Sequence, residues 1–257
     1  MDFLQTFTGV DLSLAAWGLL FLVGLNVGIM KTAIPGVGIL NVTVLALVLP
    51  SRLSVGVLLP IVMIGDLFAM GKFRGNANRK VLFALMPSAL LGLGAGYLIL
   101  KHASDDHLKL LIGWVVLVLL LFYVVVEVLE RRKTVRTERR DSIVLAAVFG
   151  FLVGAASGMA NAAGPVMSVY LLLIGVPKLE FIGTNAWFFF VVNLLKLPMY
   201  LSLGLINGGT LRLSAAAIPG IVIGALLGYR IVRHIPQKTF NRIILAVTFF
   251  TALRLVL

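Results

Sequence analysis

Apolar residues come in ten continuous runs, at about 14–30, 36–49, 53–71, 81–100, 108–129, 143–159, 163–176, 181–206, 211–229 and 238–257, with short polar or Gly/Pro punctuation between them. The runs are continuous rather than alternating, and an open sheet could not satisfy its edge groups in lipid, so helices are the expected element. Most runs reach the roughly 20 residues needed to cross about 30 Å of hydrocarbon, but the second and seventh are nearer 14. Each of these two follows a break: "MKTAIPGVG" at 30–38 and "GMANAAGP" at 158–165. They are expected to be half-helices, either broken spans or re-entrant segments.

The one sizeable polar stretch, ERRKTVRTERRDS at 130–142, divides the chain into a first membrane repeat at 1–129 and a second at 143–257. Landmarks recur between the halves. An offset of 127 pairs Pro50 with Pro177, Gly56 with Gly183 and Asp66 with Asn193. After a shift of five residues, an offset of 132 pairs Pro87 with Pro219, Gly92 with Gly224, Gly96 with Gly228 and Tyr97 with Tyr229. Five crossings per half is an odd number, so the second repeat is expected to be inverted relative to the first. The expected fold is an all-α integral membrane protein of two inverted five-segment repeats.

Composition agrees with that class: 60% hydrophobic and 12% charged residues, with a mean hydropathy of +1.08, leave too little polar surface for a soluble globule. The net charge of +12 changes the picture only through its placement. Arg131, Arg132, Lys133, Arg136, Arg139 and Arg140 crowd the linker, and Lys72, Arg74, Arg79 and Lys80 share one loop. With the linker cytoplasmic, the regions 72–80, 177–180 and 230–242 fall on the same side and bring its total to fifteen of the 22 Lys and Arg residues. That bias is a positive-inside signature, not a nucleic-acid patch, and it puts both termini outside the cytoplasmic membrane. The chain has no cysteine, which excludes disulfides and thiolate metal sites. The acidic leader with Asp2 and Asp11 argues against a cleaved signal peptide.

A helix broken inside a membrane leaves backbone groups unpaired at several kcal/mol each unless something supplies partners. The half-helix that follows presents free N–H groups and a partial positive charge, which suits a small anion. Gly36 and Gly38 open one such half, and Gly164 beside Pro165 opens the other. Thr32, Asn41 and Asn161 are candidate side-chain donors. Lys196 lies well inside the run 181–206, with Asn193 three residues earlier on the same helix face, and intramembrane lysines of this kind face a cavity or a partner. Asp66, the repeat mate of Asn193, is a candidate for carrying a coupling proton or for a structural ion pair. Lys31 either faces the anion or snorkels to the interface.

The three histidines show no metal-ligand spacing, and no P-loop, GxSxG elbow or paired-carboxylate site is present, so an intramembrane enzyme is a distant alternative. No cofactor is expected. A channel would need a continuous polar stripe along several helices, and only scattered polar residues are visible.

The stretches "AGPVMSVYLLLIGVP" and "GTNAWFFFVVNLLKLPMYLSLGLI" resemble the second half of the sulfite exporter TauE/SafE family of membrane permeases, and "PGIVIGALLGYRIVRHIP" at 219–236 is similar to its next helix. Where that family shows GxGGG- or GGP-like segments, this chain has Pro35, Gly36, Val37 and Gly38 in one half and Ala162, Ala163, Gly164 and Pro165 in the other. The resemblance implies transport, without ATP hydrolysis, of a small sulfur-containing anion such as sulfite, a sulfonate or a related organic acid; a channel or exchanger of the same fold is the alternative. The expected partners are that anionic substrate and the lipid bilayer, with no nucleic acid and with a homodimer left open.

Overall fold

The computed structural model describes residues 14–35, 41, 44–45, 49, 51–102, 114, 117–118, 120–121, 142–160 and 163–256. These residues are mostly helical, joined by short turns, and contain no strand. The helices are α1 (Leu14–Thr32), α2 (Ser51–Phe73), α3 (Arg79–His102), α4 (Ile143–Ala160), α5 (Ala163–Leu173), α6 (Lys178–Ser202), α7 (Gly208–Ala216), α8 (Ile218–His234) and α9 (Gln237–Val256), with a 3-10 turn (Arg74–Asn76) closing α2. The expected runs at 36–49 and 108–129 lie largely outside the described residues, as does the linker up to residue 141.

The apolar core is overlaid by an apolar surface, unlike that of a soluble protein. Phe83, Leu91, Ile143, Val144 and Phe250 face outward, while Lys31, Asp66, Asn193 and Lys196 are buried. Only a surrounding apolar solvent makes that arrangement favourable. Among the described residues, α2, α3 and α6 are each long and apolar enough to cross a membrane, and α7 and α8 are so together across a 44° bend. The chain is an all-α membrane-embedded protein.

Two helix boundaries differ from the sequence expectation. The apolar run 211–229 is not one helix: Asn207 caps α7 by accepting from the Thr210 N–H at 3.0 Å, and a new helix starts at Ile218 with Pro219 in its first turn. Proline is suited to a first turn and would break a helix interior, so the break falls there. The run 181–206 stops being helical at Ser202, because Gly204 turns the chain with a φ of 68° and the Leu205 N–H closes back onto the Tyr200 carbonyl at 3.0 Å.

Glycines set the packing. In α3 and α4, Gly92 approaches Phe151 and Gly96 approaches Ala155, while Gly150, Gly154 and Gly158 face Leu85, Ala89 and Leu93. In α1 and α8, Gly220, Gly224 and Gly228 face Phe21, Leu25 and Ile29. Within each pair the contact positions rise together, so the two helices run parallel. Small residues four apart let the backbones meet this closely. By contrast α2 and α6 run antiparallel: Gly56 near the start of α2 packs on Leu205 just past the end of α6, and Gly183 near the start of α6 packs on Phe73, Asn76 and Ala77 at the end of α2.

A Cβ at Gly154 would sit 2.0 Å from the Ala89 carbonyl oxygen, whereas one at Gly94 would meet nothing within 4 Å. Gly154→Ala should therefore destabilise the detergent-purified protein by about 1–3 kcal/mol, and Gly94→Ala should not, as read from thermal unfolding. Equal midpoints for the two variants would mean that the α3–α4 seam tolerates expansion.

Polar contacts gather three loops at one end of the molecule. Asn78 Nδ2 donates to Glu180 Oε1 at 2.6 Å and the Asn78 N–H to Thr184 Oγ1 at 2.9 Å. Lys178 Nζ donates to the carbonyls of Val232 at 2.8 Å, Arg233 at 3.2 Å and Ile235, so it caps the C-terminal end of α8. The basic regions 72–80, 177–180 and 230–237 thus lie together, as the charge pattern requires.

Candidate functional site

Midway along the antiparallel α2–α6 pair, a cavity of about 70 Å³ is lined by five helices and the turn after α1. Met30, Lys31 and Pro35 come from α1 and that turn, Leu58, Leu59 and Val62 from α2, Ser157 from α4 and Ala163 from the first position of α5. From α6 come Asn185, Phe189, Asn193 and Lys196, spaced along one helical face. One wall is apolar, and the other carries two lysines, two amides and a hydroxyl.

The polar wall is tied together through Asp66, which is fully buried. Its Oδ1 lies 2.7 Å from Lys31 Nζ, and its Oδ2 accepts from Asn193 Nδ2 at 3.1 Å. Lys31 Nζ also stands 5.2 Å from the centre of the Phe189 ring, within cation–π range. Lys196 Nζ donates to Ser157 Oγ at 3.2 Å. Asn185 is different. It is 3% exposed, it lines the cavity, and its Oδ1 has no hydrogen-bond partner.

A cavity between helices of both halves, with basic and amide groups on one wall, is how a permease would hold a small anion inside a membrane. Comparison with protein families matches residues 20–255 to the sulfite exporter TauE/SafE model. The chain belongs to the sulfite exporter TauE/SafE family. No curated protein and no solved structure matches the chain. TauE/SafE proteins are membrane permeases for sulfur-related anions, and the match covers all of the described helices apart from the first residues of α1 and the last of α9.

Within this TauE/SafE chain the residues expected from sequence fall into three groups. Lys31, Asn193 and Lys196 line the cavity, and Asp66 sits directly behind Lys31 and Asn193. Lys31 is buried and paired, so it faces inward and does not snorkel. Thr32 and Asn41 are placed elsewhere. Thr32 Oγ1 donates to the carbonyls of Gly28 at 2.8 Å and Ala225 at 3.1 Å in the α1–α8 seam, because neighbouring residues on a helix point about 100° apart and Lys31 already takes the inner face. Asn41 braces α1, accepting from Asn26 Nδ2 at 2.7 Å and donating to Met30 Sδ at 3.9 Å. Gly164 follows the cavity-lining Ala163 without lining the cavity itself. Gly36, Gly38 and Asn161 lie outside the described residues.

Ser157, Asn185 and Phe189 are additions that the sequence reading did not single out. A signal existed for two of them: Asn185 and Phe189 precede Asn193 by two turns and one turn on the same face of α6.

An unpartnered buried amide costs about 1–3 kcal/mol. Asn185→Leu should accordingly leave the empty protein as stable as the parent or slightly more so. If the Asn185 Nδ2 hydrogens donate to the anion, binding should weaken roughly ten- to hundredfold, the range of a hydrogen bond to a charged group. Thermal unfolding with and without sulfite separates the two effects. An unchanged sulfite-induced stabilisation would remove Asn185 from the site.

Proposed function

We propose that this protein is a secondary transporter that carries a small sulfur-containing anion, sulfite or a short sulfonate, across the cytoplasmic membrane, and that the Lys31–Asn185–Asn193–Lys196 cavity is its substrate site. The observation that carries the reading is the cavity itself: two lysine side chains and the side-chain amides of Asn185 and Asn193 line one pocket inside a membrane permease. A water needs about 10–15 Å³ of such space, so 70 Å³ has room for roughly five waters, and a four-atom oxyanion fits. The first residue of α5 lines the same cavity, so that half-helix adds its positive end.

The transporter works, in this reading, through two inverted repeats. Reciprocal packing supports it: the helix of the fourth apolar run of each half, α3 or α8, packs in parallel on the first helix of the other half, α4 or α1. Gly24 and Gly28 correspond to Gly150 and Gly154 at an offset of 126, a third register beside 127 and 132. The repeat mates Asp66 and Asn193 touch directly, as residues beside a pseudo-two-fold axis must. Such a pair is placed to couple rocking of the halves to protonation of Asp66. The gathered basic loops mark the cytoplasmic end, with both chain termini outside. A single cysteine at Thr134 should resist an impermeant thiol reagent in intact cells and react after permeabilisation; labelling from outside would reverse the orientation.

The function is tested by uptake into proteoliposomes from a panel of small sulfur and carboxylate anions, with and without a pH gradient. Saturable, gradient-dependent uptake of a sulfur oxyanion is expected. Non-saturating, gradient-independent flux would make the protein a channel, and chemical conversion of the anion would make it an enzyme.

A further inference from the structure

A second basic site lies away from the cavity, in a groove of about 620 Å³ formed by the end of α2 and the last turns of α8. Lys72, Arg230, Arg233 and His234 line it around Tyr229. Lys72 Nζ lies 5.4 Å and the Arg233 guanidinium carbon 5.3 Å from the centre of the Tyr229 ring, and Arg233 Nη1 donates to the Tyr229 hydroxyl at 3.0 Å. The ring itself is fixed by an edge contact with Phe73, centroids 5.5 Å apart.

The ends of α2 and α8 favour cations there on dipole grounds, which accounts for one basic residue per helix end. It does not account for holding two cations on one aromatic ring with a third on the same helix face. Like charges so close repel, and none of Lys72, Arg230, Arg233 and His234 has an acidic partner among the described residues. His234 Nδ1 is engaged with the Arg230 carbonyl oxygen at 2.8 Å, which leaves the lysine and the arginines to face the groove. An anion between them would relieve the repulsion.

The groove continues into an apolar surface. Leu226 lines it one turn before Arg230 on the same face, and Ile223 and Leu227 beyond are exposed as well. A free phosphate would use only the cations. A phospholipid uses both parts, its phosphate against Lys72, Arg230 and Arg233 and its acyl chain along Leu226 and Ile223, and basic pockets between membrane helices hold anionic head groups in this way. We infer that this groove binds the phosphate head group of an anionic phospholipid where the α2 and α8 ends meet the bilayer surface. The site is independent of the anion carried through the central cavity.

Native mass spectrometry of the detergent-purified full chain tests this with phosphatidylglycerol and phosphatidylcholine of matched chains. The protein should retain phosphatidylglycerol preferentially. At about fivefold per cation near a membrane surface, Lys72→Gln with Arg233→Gln should cut that preference roughly thirtyfold, while Arg212→Gln, at the other end of the molecule, leaves it unchanged. Unaltered thermal unfolding would show that the double variant is folded; if it is not, the exposed single change Arg230→Gln should still give about a fivefold loss. Equal retention of the two lipids, an equal loss with Arg212→Gln, or displacement of phosphatidylglycerol by millimolar inorganic phosphate would each overturn the inference, the last by showing a free-phosphate site.

Discussion

Lys196→Met is expected to insert and fold at near wild-type levels yet to take up sulfite at least roughly tenfold more slowly at subsaturating concentration, the lower end of what a hydrogen bond to a charged group contributes. The side chain is 2% exposed and reaches the cavity from α6. A lysine in a membrane segment costs about 2.5–3.5 kcal/mol on insertion scales, so removing it should not impair insertion. Methionine keeps much of the stem's bulk and fills the same channel between α4 and α6. Loss of transport in a well-folded protein would then report the missing amine rather than a collapsed wall. Lys196→Arg keeps a cation but replaces a compact point charge with a planar fork, and it should retain part of the activity. Initial uptake rates normalised to reconstituted protein decide the matter. Normal uptake by a well-folded Lys196→Met protein would take this residue out of the site.

The second large effect concerns Asp66, whose removal should be felt first in stability. Asp66→Ala leaves Lys31 buried without its carboxylate and deprives Asn193 of its acceptor, and breaking one side of a buried pair costs about 3–5 kcal/mol. Replacing both partners, as Lys31→Met with Asp66→Leu, should recover most of that loss, because no uncompensated charge stays behind. Unfolding midpoints of the two variants compare directly, and a double variant no more stable than Asp66→Ala would show that the pair acts through something other than charge. Function divides differently. Asp66→Asn preserves the shape and should reduce accumulation driven by a pH gradient more than it reduces exchange of anion for anion. An equal fall in both would leave Asp66 a structural residue with no part in coupling.

How much of this could be read in the chain depends on the distance between cause and signal. Lys196 and Asn193 stood out because their polarity conflicts with a long apolar run, and three-residue spacing fixes a common face whatever surrounds it. The offset of 127 joins Asp66 to Asn193, and the two are hydrogen-bonded. Thr32 was a different case: it shares the break with Lys31 in sequence, but one step along a helix turns a side chain out of the cavity and into the α1–α8 seam. Asn185 shares the α6 face of Asn193, but a polar residue near the start of an apolar run does not by itself stand out. What marks it is the lack of a partner, which depends on five elements meeting in space. Likewise, the pairing of α3 with α4 and of α8 with α1 involves glycines of both halves, and the matching of Gly24 and Gly28 to Gly150 and Gly154 takes on meaning only once the seams are seen. The α7–α8 break has a local signal in Pro219, but the apolar run continues across it and masks the break.

The central claim, that the cavity between α2 and α6 is where the transported anion binds, is tested most directly with selenite, the selenium counterpart of sulfite, soaked into crystals of the transport-competent protein. The account predicts an anomalous selenium peak inside the cavity, placed so that the anion's oxygens accept from Lys196 Nζ and Asn185 Nδ2. A peak at another position, or none at a concentration that saturates uptake, would contradict it.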